Sequence, residues 1–399
     1  MQPKLKWNYK SVPNCIKYMY YRDLQRELLR LNEFFSVQTI TGPRQSGKTT
    51  LCKMAFPNYE YFNLENPITR EEIATDIMTF VHNHSHGVII DEAQNLPDIF
   101  SAVQVAVDED KSRRYILTGS SNISLLRKVK QSLAGRTTVH TLLPFSLHEL
   151  TKEQPLSVNE YMWKGFFPSV WSENQLPTDV YKAYYQTYLQ RDVTDVISLK
   201  NLNQFRRFDL LLAARVGTEL NAQNIANDVG VSVATIQQWV SVLETSYIAF
   251  LLPPYFRNIG KRLIKAPKIY FYDTGLVCFL LGIRNPQELD THPMRGSIFE
   301  NLVVCDLLKQ QYNSNSNSAL YFYRDNKKEV DVLKEEGLTV DAYEIKVAHE
   351  DNTSFYEGLN YLRKIYGTSI RSTQVIYTGE EERTSIENGL YNYLRLLTK

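Results

Sequence analysis

The sequence predicts an α/β fold whose first unit is a parallel sheet with helices on both faces, and three observations predict it. Apolar runs of strand length alternate with stretches of helical periodicity over residues 1–145. A glycine-bounded loop, residues 42–49, separates one such run from the next helix. A short apolar run, Val88-Ile89-Ile90, ends in Asp91 and Glu92. Strands that alternate with helices pair in parallel, because each return to the sheet needs a crossover connection.

Taken in order, Leu24, Leu28, Leu29 and Leu31 recur at helical spacing within residues 23–34, and residues 35–41 follow as a buried strand. Residues 48–54 open a helix, 59–64 read as a second strand and 71–81 as a further helix. Residues 88–90 and 115–117 are strands that end in polar side chains. Residues 146–205, rich in Tyr and Leu, lack strand-like alternation and predict a helical lid. Within residues 206–290, a helix at 222–229 stops at Gly230, suited to a left-handed cap, and Ser232 is an N-cap for a second helix ending near Ser246. Strands at 247–252 and 268–272 flank a loop with Arg257, Lys261, Arg262 and Lys265, which predicts a winged helix-turn-helix. Residues 291–399 carry a helix at 298–311, an Asn/Ser loop at 313–318, and strands at 320–323, 329–334, 342–347 and 373–377. With a helix at 353–366 and a terminal helix, they read as a second, independent α/β layer.

A chain of 399 residues exceeds a single core of roughly 100–200 residues, so several domains are expected. A formal net charge of +1 excludes a general pull toward nucleic acid or an anionic membrane and leaves only local patches for such contacts. Cys15, Cys52, Cys278 and Cys305 form no C-x-x-C pair, which argues against a zinc site and a disulfide framework. Residues 1–14 lack the apolar core of a signal peptide, and no stretch approaches the roughly 18 apolar residues of a membrane helix. The expectation is a soluble, cytoplasmic protein with no membrane partner.

Gly42-Pro43-Arg44-Gln45-Ser46-Gly47-Lys48-Thr49 fits G-x-x-x-x-G-K-[ST], after a predicted strand and before a predicted helix. The glycines let successive backbone N–H groups converge on one anion, the helix N-terminus adds partial positive charge, and Lys48 reaches the terminal phosphates. Thr49 is a magnesium ligand in this reading, Asp91 holds the ion through water, and Glu92 polarises the water that attacks the γ-phosphate. Thr118-Gly119-Ser120-Ser121-Asn122 ends the next strand, where a polar side chain such as Ser120 could sense the γ-phosphate. Arg136 is a candidate arginine finger.

Gly42-Pro43-Arg44-Gln45-x-Gly47-Lys48-Thr49-Thr50, Asp91-Glu92-Ala93-Gln94, Leu117-Thr118-Gly119-Ser120-Ser121 and Leu133-Ala134-Gly135-Arg136 resemble the bacterial and archaeal AAA+ ATPases that carry a C-terminal domain of unknown function. The likeness continues through Tyr270-Phe271-Tyr272-Asp273-Thr274-Gly275-Leu276, Gly296-x-x-Phe299-Glu300-Asn301, Phe322-Tyr323-Arg324 and Glu329-Val330-Asp331. The resemblance implies a P-loop NTPase of the AAA+, additional-strand, catalytic-glutamate type, with ATP and Mg2+ as its cofactors.

Glu300, Asp331 and Glu344-Ile345-Lys346 resemble the acidic triad and lysine of restriction-endonuclease-like nucleases of the PD-(D/E)xK type. Asp331 and Glu344 would bind magnesium in such a site, and Lys346 would steady developing charge. DNA is a further candidate partner, through the winged helix and the C-terminal domain. The second helix, residues 233–246, contains no Lys or Arg, so basic contacts would have to come from the wing, Arg206, Arg207 and Arg215, with Gln237 and Gln238 toward adenine. Val233, Ile236, Val240 and Leu243 read as packing residues. The leading expectation is an ATP-driven switch. Its alternatives are an ATP-controlled nuclease and a nucleotide-dependent homo-oligomeric scaffold in which Arg136 serves a neighbour.

Overall fold

The structure, a computed structural model, describes residues 20–84, 86–119, 132–150, 156–188, 202–256, 265–325 and 327–398. In the first unit the order is α1 (Leu24–Leu31), β1 (Val37–Thr41), α2 (Lys48–Ala55), β2 (Glu60–Asn63), α3 (Pro67–Thr75), α4 (Ile77–Asn83), β3 (Val88–Asp91), α5 (Ile99–Glu109), β4 (Tyr115–Thr118) and β5 (Thr137–Thr141). Among the described residues these strands form one sheet in the order β2-β3-β4-β1-β5, with every neighbouring pair parallel. β4 therefore lies between the strand that leads into the glycine loop and the strand that ends in Asp91. That is the additional strand the resemblance implies.

Period-two alternation divides the strand residues between the two faces. Val88, Ile90, Tyr115 and Leu117 pack with Ile99, Phe100 and Val103 of α5, while Ile89 and Ile116 pack with Leu24, Leu28, Leu51 and Cys52 of α1 and α2. Two local expectations are corrected. The helix expected at 71–81 is two helices, because Asp76 leaves the helical conformation and its carboxylate accepts from the Thr79 N–H and hydroxyl as a new N-cap. Strand β5 was not expected, since Thr137-Thr138-Val139-His140-Thr141 has no apolar run. As an edge strand it needs none, and only His140 of the five is buried.

The chain continues through α6 (Leu147–Leu150), α7 (Val158–Lys164), α8 (Pro168–Ser172), α9 (Pro177–Tyr188), α10 (Leu202–Ala213), α11 (Ala222–Val229), α12 (Val233–Thr245), β6 (Ala249–Leu252), β7 (Lys268–Phe271), α13 (Thr274–Leu280) and α14 (Arg295–Asn313). Gly230 caps α11 with φ 81°, and the Ser232 hydroxyl accepts from Thr235 N at the start of α12. β6 and β7 pair antiparallel. Arg257, Lys261 and Arg262 lie outside the described residues.

The last elements are β8 (Ala319–Arg324), β9 (Glu329–Glu336), β10 (Thr339–Lys346), α15 (Glu357–Tyr366), β11 (Ile370–Tyr377), β12 (Gly389–Asn392) and α16 (Tyr393–Leu397). Their sheet runs β12-β11-β10-β9-β8, antiparallel across β8, β9 and β10 and parallel across β10, β11 and β12. Strand β12 is an addition to the expected set. The expectation of an independent layer is also corrected. α14 buries Ile298, Phe299, Leu302 and Val303 in one core with Tyr161, Phe166, Phe205, Trp239 and Phe271. The chain after β6 pairs with β8 through Tyr255 N to Phe322 O (2.7 Å) and Phe322 N to Pro253 O (3.1 Å), which covers that sheet edge.

Candidate nucleotide site

The loop after β1 is curled. Gly42 has φ 144°, Gln45 φ 61° and Gly47 φ 90°. A Cβ on Gly42 would lie 2.2 Å from the Leu142 carbonyl oxygen, so only glycine fits there. Gly47 is the N-cap of α2 and has no side chain with which to cap the first-turn N–H groups of that helix. This is the geometry an anion needs at a helix N-terminus. Lys48 folds over the loop, its Nζ donating to the carbonyls of Gly42 (3.1 Å) and Pro43 (2.8 Å). Burial lowers its pKa to about 8, against the opposing pull of Glu92 and Asp91.

Asp91, at the end of β3, is buried and accepts from three hydroxyls. Thr49 and Tyr61 each donate to Oδ2 over 2.7 Å, and Thr118 donates to Oδ1. Glu92 takes a left-handed conformation, φ 54°, uncommon for a residue with a Cβ. Its backbone N–H donates to Thr118 Oγ1 (3.3 Å), and its carboxylate accepts from Gln94 Nε2. Thr49 and Asp91 thus offer adjacent oxygen donors of the kind magnesium prefers. Among the described residues no group of three or more His, Cys, Asp or Glu side chains could hold a metal, so the remaining ligands would be phosphate oxygens and water.

A cleft of about 800 Å³ opens over this loop. Gly47, Lys48, Thr49 and Glu92 line one side, with Pro168 and Ser169 of the α8 region and Val180 of α9 on the other. Sequence reasoning missed Arg22 and Tyr61. Neither belongs to a contiguous motif, and both reach the site from other elements. Arg22 is buried, with Nη1 donating to Ser46 O (2.7 Å), Nη2 to Leu143 O (2.6 Å) and Nε to Glu149 Oε1 (3.0 Å). Thr118 fell inside the segment singled out for a sensor, whereas Ser120 lies outside the described residues.

Arg136 is placed elsewhere. Its Nε and Nη2 donate to Asp108 on α5 at 2.5 and 2.8 Å. In the parallel pairing of β1 and β5, Val37 faces Thr137 and Thr41 faces Thr141. Arg136 therefore stands at the opposite end of the sheet from the glycine loop of its own chain.

The C-terminal candidates do come together. Lys346 Nζ lies 2.6 Å from Glu344 Oε1 and 3.7 Å from Asp331 Oδ2. Glu300 instead accepts from Lys268 Nζ (3.1 Å) and Tyr270 OH (2.5 Å) on β7, and Lys268 also lies 2.7 Å from Glu329. Burial, followed by the nearby Asp331, raises Glu300 to about 6 and Glu344 to about 8. Lys346 thus pairs with Glu344 and Asp331, and Lys268 with Glu300 and Glu329, while among the described residues no group of three or more His, Cys, Asp or Glu side chains could hold a metal ion. On α12, Ile236, Val240 and Leu243 are buried as expected, Gln237 and Gln238 are exposed, and Arg215 is paired with Asp228 at 2.6 Å.

Residues 35–151 match the AAA domain family, residues 155–287 a domain of unknown function (DUF8612) and residues 295–396 another (DUF4143). Uncharacterized proteins of Mycobacterium tuberculosis and Mycobacterium bovis are each 30% identical over 289 residues, covering 71% of this chain and 64% of the relative. The chain thus spans less than two thirds of these relatives' length. An uncharacterized protein of Methanocaldococcus jannaschii is 23% identical over 331 residues, covering 74% and 71%. Among solved structures, a Walker-type ATPase of Pyrococcus abyssi is 15% identical at TM-score 0.43, covering 65% of this chain and 94% of that one. AMPPCP-bound DnaA of Aquifex aeolicus is 12% identical at TM-score 0.29, covering 56% and 86%. The match over residues 35–151, with the parallel sheet and the curled glycine loop, supports a P-loop NTPase fold for the first unit. Among the described residues no helix is long and apolar enough to cross a membrane.

Proposed function

We propose that this chain binds ATP with magnesium at Gly42, Pro43, Arg44, Gln45, Ser46, Gly47, Lys48, Thr49 and Thr50, hydrolyses it, and uses the cycle as a switch. The observation that carries the reading is the Thr49–Asp91 hydrogen bond beside Glu92, at the mouth of a parallel sheet and a helix N-terminus. Thr49 and Asp91 would hold a magnesium ion, which supplies positive charge to the β- and γ-phosphate oxygens. Lys48 neutralises charge on the same phosphates. Glu92 orients a water and accepts its proton as the new oxygen–phosphorus bond forms and the bond to the bridging oxygen of ADP breaks. The output passes through the helical core and the C-terminal unit to a nucleic acid or protein partner.

The test is ATP binding and turnover by wild type, Lys48→Ala and Glu92→Gln. Wild type turns over, Lys48→Ala loses binding, and Glu92→Gln binds but slows by about 10²–10⁴-fold. A wild type that neither binds ATP nor exceeds both variants removes the reading.

A second reading, an ATP-controlled nuclease, is favoured by one observation: Lys346 stands within 3.7 Å of carboxylates on two neighbouring strands. Incubation of single- and double-stranded DNA and RNA with magnesium or manganese tests it. Cutting that persists in Lys346→Ala excludes this site.

A further inference from the structure

Residues 142–147, which leave β5, are all buried. A buried backbone must find partners for its N–H and C=O groups, and here the partners come from distant units. The Leu143 carbonyl accepts from Arg22, the Phe145 carbonyl from Lys309 Nζ (2.8 Å), and Leu147 N donates to Asp306 Oδ1 (2.7 Å). Glu149 accepts from Arg22 Nε, Asp23 N (2.8 Å) and Ser146 N (2.9 Å). This strap therefore runs between the phosphate loop and helix α14, and Arg22 touches both strap and loop.

The atom Arg22 holds in the loop is the Ser46 carbonyl oxygen. In a planar trans peptide the C=O and the following N–H point in opposite directions. A guanidinium fixed on the Ser46 oxygen consequently aims the Gly47 N–H away from Arg22. A charge-assisted bond to the carbonyl also polarises that N–H. Arg22 is itself fixed, since Glu149, Leu143 and the ring of Phe145, 4.8 Å from its guanidinium carbon, leave it little freedom.

We propose that Arg22 is a positioning residue for phosphate binding: it sets the Ser46–Gly47 peptide for a triphosphate and ties loop occupancy to the 142–150 strap. The proposal rests on the reading of the loop as an ATP site. Glu149 orients Arg22 but does not set the peptide, so the two residues have separable effects.

The experiment measures ATP affinity, KM and kcat for wild type, Arg22→Lys and Glu149→Gln. Lysine keeps the charge but loses the fork, and weakens affinity about tenfold or more with little change in kcat. Glu149→Gln leaves both carbonyl contacts of Arg22 but turns one acceptor into an N–H donor facing Ser146 N or Asp23 N, so it lowers stability and weakens affinity less than Arg22→Lys does. Unchanged affinity in Arg22→Lys, or an equal loss in both variants, overturns the proposal. Hydrogen exchange on wild type provides a measurement that needs no variant. Adding ADP and magnesium slows exchange in residues 44–49 and 142–150 together, and slowing confined to the loop overturns the link to the strap. A wild type that binds no nucleotide instead removes the ATP reading itself, an outcome distinct from the other two.

Discussion

The Thr49 hydroxyl donates to Asp91 Oδ2 over 2.7 Å, so the first turn of α2 and the end of β3 meet at one carboxylate. Tyr61 and Thr118 complete the set of donors around it. Asp91→Asn keeps the shape but removes the negative charge a divalent cation requires. Turnover falls at least about 100-fold, while ATP affinity measured in EDTA changes little. Equal turnover by Asp91→Asn and wild type in magnesium contradicts this assignment.

Nucleotide affinity depends on the charge of Lys48. Its pKa is lowered to about 8 by burial, so above that pH the free protein must take up a proton before the lysine can pair with phosphate. Affinity is therefore flat below pH 8 and falls by up to about tenfold per pH unit above it. The sign for stability is the reverse. Because the folded pKa lies below the ordinary 10.5, nucleotide-free stability is lower below pH 8 and rises between about 8 and 10.5. Titration of a fluorescent ATP analogue and thermal melts across pH 7–10, with Lys48→Met as the control, check both slopes.

Lys268 is the cation that Glu300 and Glu329 share, and it is 3% exposed. Lys268→Met leaves those carboxylates without it and destabilises the protein by about 3 kcal/mol or more at pH 8. Protonation of Glu300, already raised to about 6 by burial and Asp331, makes the loss smaller at pH 5. The double variant Lys268→Met/Glu300→Gln recovers part of it. Denaturant unfolding at the two pH values measures the difference, and a pH-independent loss would count against the charge explanation.

Arg136 is bound to Asp108 at the far end of the sheet from the glycine loop. Arg136→Ala consequently leaves ATP affinity within about twofold of wild type at protein concentrations where the chain is monomeric. A role in a neighbour's site shows instead as turnover that rises with protein concentration in wild type and not in the variant. Sedimentation with and without nucleotide, beside the turnover assay, separates the two.

Much of the local architecture was legible because its causes are local. Gly230 and Ser232 end and begin helices through their own backbone and side-chain geometry, and both do so where expected. Asp76 divides α3 from α4 by the same capping chemistry, but the apolar periodicity of the surrounding residues masked it. β5 was illegible for a different reason. An edge strand exposes most of its side chains, so Thr137, Thr138 and Thr141 carry no apolar signature, and pairing with β1 alone makes them a strand.

The sequence by itself determined the curled glycine loop, the lysine that follows it and the acids that end β3, because each depends on the conformation of a few adjacent residues. Only the tertiary structure decided that β5 joins the sheet beside β1, that Arg136 points away from its own loop, and that α14 joins the helical core to the C-terminal sheet. It also brought Arg22 to Glu149 across 127 residues of chain. Periodicity and capping act over a helical turn. Partners for a buried guanidinium or a buried strap are chosen by which distant groups remain unsatisfied once the cores have packed.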